Sequence, residues 1–162
     1  MYPKSVLMIA IITLLSGCAT PGVYPVSSNI DKSKVFDALY DQVWSAIISS
    51  IAESNLGITT LEKESGIIAI SNTSYEPSWA NEGTRGNAMG APDEVVQRDV
   101  TFNIFATAQG SDQTLVQVNS SFKMKIRTGN GSQAFPHKFQ WHKAYSNGTL
   151  EKILHDKIKQ KL

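Results

Sequence analysis

Two stretches decide the fold: Val95-Val96-Gln97-Arg98-Asp99-Val100-Thr101-Phe102-Asn103-Ile104-Phe105-Ala106-Thr107 and Val116-Gln117-Val118-Asn119-Ser120-Ser121-Phe122-Lys123-Met124-Lys125-Ile126-Arg127. Both alternate with a period of two, the signature of a strand wet on one side only. In the first, Val96, Arg98, Val100, Phe102, Ile104 and Ala106 share one face, with Arg98 as its one charge. Val95, Gln97, Asp99, Thr101, Asn103 and Thr107 share the other, with Phe105 as its exception. In the second, Val116, Val118, Phe122, Met124 and Ile126 oppose Gln117, Asn119, Ser121, Lys123, Lys125 and Arg127. Gln109-Gly110-Ser111-Asp112-Gln113 turns the chain between them. The pair reads as a long antiparallel hairpin with one apolar face that something must cover.

The flanking sequence supplies the cover. Leu39, Val43, Ile47 and Ile51, with Trp44 and Ile48 beside them, recur at helical spacing, so Trp44 reads as core. Asp37 or Asp41 could cap that helix, and Asn55 and Gly57 end it. A short apolar piece, Val35 to Ala38, precedes it as a strand. Ile58 to Glu62 and Ile67 to Asn72 form a second hairpin around Lys63-Glu64-Ser65-Gly66. At the far end, Leu150, Ile153, Leu154, Ile158 and Leu162 line a second helix, with Ser146 as N-cap and Lys157, Lys159 and Lys161 in its last turns. Thr73 to Asp93 and Gly129 to Pro136 read as loops. The expected fold is α+β: an antiparallel sheet of four to five strands packed against two amphipathic helices, in one domain from residue 34 to 162.

The chain has 162 residues, 15 basic and 14 acidic, and its hydrophobic fraction is 41%. That composition suits a folded domain and excludes a disordered chain. A net charge of +1 lacks the basic excess of a nucleic-acid binder. One cysteine excludes an internal disulfide.

The N-terminus has a different logic. Lys4 precedes an uncharged run from Val6 to Leu15, broken only by Thr13. Ten helical residues span about 15 Å, too short for a hydrocarbon core of about 30 Å. This is the pattern of a signal peptide over residues 1–17. Leu15-Ser16-Gly17-Cys18 resembles the lipobox of bacterial lipoproteins. The resemblance implies cleavage between Gly17 and Cys18, diacylglycerol on the Cys18 thiol and an N-acyl chain on its amine. By resemblance to proteobacterial lipoproteins, Ala19 in place of aspartate implies export to the outer membrane, with the periplasm as the default side. Residues 18–33, with Pro21, Gly22, Pro25 and several serines, read as a lipidated N-terminus and flexible tether. Removing residues 1–17 leaves 14 basic and 14 acidic side chains, so net charge is not the anchor.

Three further pieces carry a resemblance: Tyr40-Asp41-Gln42-Val43-Trp44-Ser45-Ala46-Ile47; Gly57-Ile58 before Lys63-Glu64-Ser65-Gly66-Ile67-Ile68; and Ser146-Asn147-Gly148-Thr149-Leu150-Glu151-Lys152-Ile153-Leu154. In that order they are similar to the helix-grip domains of BamC-type lipoproteins, accessories of the outer-membrane β-barrel assembly machine. The resemblance implies a helix-grip sheet and an interaction role. It transfers no binding residue.

No nucleophile elbow or phosphate loop is present in the sequence, and the lipobox resemblance assigns the one thiol to lipid. His137, His142 and His155 lack carboxylates at ligand spacing, so no metal site is expected. The expectation is a non-enzymatic module without cofactor, in contact with an unidentified envelope protein. Its candidate contact residues are Trp79 and Arg85 in the long loop, with Met89 beside them, and the basic stripe Lys123, Lys125 and Arg127. Trp79 is either a contact tip or a plug folded onto the sheet. The stripe is either a site for anionic head groups, glycan or an acidic partner, or a solvated face that blocks edge pairing. Phe135, His137, Phe139, Trp141 and Tyr145 read as core closing the end of the sheet, with a binding surface as the alternative. A small-ligand or lipid carrier is the second functional reading, and it requires a cavity between sheet and helix.

Overall fold

A single strand organises the molecule. The structure, a computed structural model, describes residues 25–54, 56–83 and 94–162. Strand β6 (Gln113–Thr128) pairs along its whole length with β5 (Glu94–Gln109). Its other edge is shared end to end. β1 (Ser33–Phe36) covers Thr114 to Gln117, and β7 (Lys138–Ser146) covers Phe122 to Thr128. Beyond β5 lie β3 (Ile67–Ser74) and then β2 (Ile58–Glu62). A two-residue strand, β4 (Ala80–Asn81), pairs with the end of β7. Every pairing is antiparallel.

The α+β class is as expected, but the sheet has seven strands among the described residues rather than four to five. β4 is too short to leave a period. β7 escapes because its polarity is inverted. Phe139, Trp141 and Tyr145 alternate with Lys138, Gln140 and His142, and the aromatics point away from the core. Phe135, Phe139 and Trp141 are 57%, 54% and 44% exposed, so the expectation that this segment is core is overturned.

Helices α1 (Tyr40–Glu53) and α2 (Thr149–Lys159) cover the other face. Val43, Ile47 and Ile51 of α1 and Leu150, Leu154 and Ile158 of α2 are buried with Val100, Phe102 and Ile104 of β5 and Val116, Val118 and Phe122 of β6. Apolar side chains therefore occupy the helix–sheet interface. Burying each large one contributes about 1.5–3 kcal/mol relative to leaving it in water. Two clefts of about 620 and 600 Å³ lie elsewhere, as open troughs along Asp41, Ser45 and Ser49 of α1 and along Lys152 and Asp156 of α2.

The helix starts differ from expectation. Neither Asp37 nor Asp41 caps α1; Leu39 is the N-cap, and its N–H donates to Gln42 Oε1 at 3.2 Å. Asp41 sits in the first turn and pairs with Lys63 at 2.8 Å. Gly148, not Ser146, caps α2, in a left-handed conformation with φ of 91°. Ser146 still serves the helix start, because its Oγ accepts the Gly148 N–H at 3.0 Å. Gly66 is required in the β2–β3 turn twice over. Its φ is +69°, and a Cβ there would lie 2.0 Å from the Ala106 carbonyl oxygen.

Segment 26–32, read as part of the tether, is held to the body. Asn81 Nδ2 donates to Ser28 Oγ at 2.7 Å and to the Val26 carbonyl at 3.3 Å, and the Val118 N–H donates to the Lys32 carbonyl at 2.8 Å.

Candidate functional site: an aromatic–basic sheet face

The site is built by register. Residues directly opposite one another in antiparallel strands project to the same face. Glu94 opposes Arg127, which opposes Phe139; Gln97 opposes Lys125, which opposes Trp141; Asp99 opposes Lys123, which opposes Lys143. These rows lie on the face that α1 and α2 leave open. Neighbours on this face approach one another, both across the strands and along β7. Lys123 Nζ lies 4.7 Å from the centre of the Trp141 ring, and Lys125 Nζ lies 5.5 Å from Phe139 and 5.9 Å from Trp141. Lys143 Nζ lies 4.8 Å from the Tyr145 ring. The rings' negative faces hold the ammonium groups while the lysine stems lie along apolar surface.

The charge balance of the face is positive. Arg127 donates to Glu94, and Lys123 lies 3.7 Å from Asp99. Lys125 and Lys143 make no ion pair with a carboxylate among the described residues. All three exposed aromatic residues among the described ones, Phe135, Phe139 and Trp141, fall at this end of the sheet. The basic stripe and the aromatic segment, separate features in the sequence, are therefore one surface. The signal that links them is the period of two in β7, visible only if an outward aromatic face is allowed.

Trp79 lies elsewhere. It ends a 3-10 turn (Pro77–Trp79), is half-buried against the core, and its carbonyl accepts the Asn147 N–H at 3.3 Å. Cys18, Gly17, Arg85 and Met89 lie outside the described residues.

Two polar clusters on the inner face are structural in geometry. Arg98, the charge on the apolar side, forks onto Glu82 with Nε–Oε1 of 2.7 Å and Nη2–Oε2 of 2.9 Å. Tyr75 also donates to Glu82 Oε1, at 2.9 Å, and burial raises the phenol's pKa well above its usual value. The carboxylate thus satisfies two buried-side donors and binds the chain after β4 to the sheet. Glu151 is fully buried; Ser120 Oγ and Ser146 Oγ donate to its two oxygens at 2.5 and 2.7 Å. It joins the first turn of α2 to β6 and β7, where the helix dipole favours a negative charge.

The three histidines are dispersed. His137 Nδ1 lies 3.2 Å from the Gly129 carbonyl, His142 sits on β7, and His155 is buried on α2 with Nε2 unpartnered. Among the described residues no group of three His, Cys, Asp or Glu side chains could hold a metal ion, and no helix is long and apolar enough to cross a membrane. No protein-family model matches the chain, and no curated protein sequence matches it.

Proposed function

We propose that this protein is a lipid-anchored, non-enzymatic interaction module of an envelope complex at the outer membrane, held there by acyl chains on Cys18. The observation that carries the binding role is the aromatic–basic face of β6 and β7. It places exposed rings and lysines in contact on a sheet, with two of the cations in no ion pair among the described residues. Rigid aromatic anchors beside cations are the composition of binding surfaces. The anchoring role rests on Leu15-Ser16-Gly17-Cys18 after a charged start and a short apolar run. The helix-grip reading, and with it the BamC-type kinship, is part of this proposal. It is supported by two helices on one face of an antiparallel sheet.

Cross-linking in intact cells tests the proposal. The lipidated protein should recover a defined set of envelope proteins and fractionate with the outer membrane, and Cys18→Ala should lose both. An unchanged set from Cys18→Ala, or none from the parent protein, would overturn it.

A further inference from the structure

One rim of the aromatic–basic face, at Lys143 and Tyr145, lies beside the N-terminal segment of the domain. Asn81 holds Val26 and Ser28 by its side chain and pairs across β4–β7 with Tyr145. Tyr145 in turn meets Lys143 at the rim of the face. Between Pro25, the first described residue, and Cys18 there are seven residue steps. A fully extended chain of that length reaches at most about 25 Å. An anchor on Cys18 therefore keeps this rim close to the bilayer, whatever path the intervening residues take.

The surface matches what it would meet there. Tryptophan and tyrosine favour the headgroup level of a bilayer, where an apolar ring with a polar handle is at home. Lysines whose stems lie along rings can extend their charge towards phosphate. Among the described residues, four cations, Lys123, Lys125, Arg127 and Lys143, stand against two carboxylates, Glu94 and Asp99, on these rows of β5, β6 and β7. The chain after residue 17 carries 14 basic and 14 acidic side chains in all, so this excess is local and is offset elsewhere on the molecule. Such a face alone binds weakly. Tethered to the same membrane it works at an effective concentration in the millimolar range.

We infer that the β6–β7 face, the surface on which the proposed binding role rests, docks on anionic phospholipid headgroups of the leaflet that holds Cys18, so that the contact it makes with the envelope is with the membrane itself. The inference rests on the proposed lipid anchor. An acidic protein on the same face is the competing occupant.

The test uses the full lipidated protein in phosphatidylglycerol–phosphatidylethanolamine vesicles with brominated acyl chains, compared with phosphatidylcholine vesicles. The chain has three tryptophans, and subtracting the Trp141→Phe signal isolates Trp141. Quenching of Trp141 is expected in the anionic vesicles only, fading at high salt. Lys125→Glu should weaken the docked state at least about five-fold, the equivalent of about 1 kcal/mol per lost basic charge at an anionic surface. Protein that floats with the vesicles but shows no such quenching, or equal quenching in phosphatidylcholine, overturns the docking inference and leaves the anchor standing. Protein that does not float overturns the anchor and the inference with it. A photo-cross-linker at Phe139 that captures one acidic protein in intact cells assigns the face to that protein instead.

Discussion

Phe122 and Trp141 sit on adjacent strands of one sheet and do opposite work. Phe122 points inward from β6, is 1% exposed, and meets Tyr75 edge-on at 4.9 Å. Trp141 points outward from β7, against lysine ammonium groups and solvent. Both are large aromatics at alternating positions in a strand. Burial alone separates a residue that holds the fold from one free to act on something else. The inner face spends its apolar area on helices α1 and α2, whereas the outer face keeps its area available.

The contrast can be broken most severely from the inside. Phe122→Ala should destabilise by about 3–5 kcal/mol, read as a large drop in the denaturant midpoint, because a cavity opens in the core beside Tyr75. A loss below about 1 kcal/mol would mean that the inner face is not the packed core described here. Glu151→Ala comes next. It leaves the hydroxyls of Ser120 and Ser146 without their acceptor, at about 1–3 kcal/mol for an orphaned buried group. Glu151→Gln keeps an acceptor and should recover part of that loss. Equal losses in the two variants would show that charge at the helix start, rather than hydrogen bonding, is what matters.

The inner face was the legible part of the sequence. Val100, Phe102 and Ile104 against Thr101 and Asn103, and the helical recurrence of Val43, Ile47 and Ile51, carry their periods openly, and the hairpin and both helices follow. Helix starts were less legible. Leu39 and Gln42 solve locally what Asp37 and Asp41 could also have solved, and sequence spacing does not choose between them. β7 was illegible for a different reason. An aromatic residue in a small domain is expected to be buried, so Phe139 and Trp141 suggested core. Only the pairing of β7 with Lys123, Lys125 and Arg127 shows which side of the sheet those rings occupy. The candidate surface is thus a product of register, a long-range property that local pattern does not encode.

His155 gives the inner face a pH signature. Burial, and then the nearby Lys34 charge, lower its pKa from 6.5, opposed by a backbone hydrogen bond with Val116 and by Asp31 and Glu151. The native state therefore binds fewer protons than the unfolded chain as pH falls through 6.5, so stability declines with acidification across that range and is whole above it. Urea midpoints measured at pH 8 and pH 5.5 should differ more for the parent protein than for His155→Gln. An identical difference in both would assign the pH dependence to other groups.

The smallest expected change in stability is at Trp141, and it sharpens the comparison most. Its cation–π contacts are exposed, where each contributes about 0.5–1 kcal/mol. Trp141→Ala should therefore shift unfolding by no more than about 2 kcal/mol, the sum of the two contacts, well short of Phe122→Ala. Phe139→Ala should do the same, because Lys125 retains Trp141 as a neighbour. Neither change should alter the core's response to urea, since no apolar cavity forms beneath them. A residue with so little effect on folding has little structural reason to be a tryptophan on an open sheet. If instead Trp141→Ala proves as damaging as Phe122→Ala, the ring is covered in the folded protein, and the outer face belongs to the core after all.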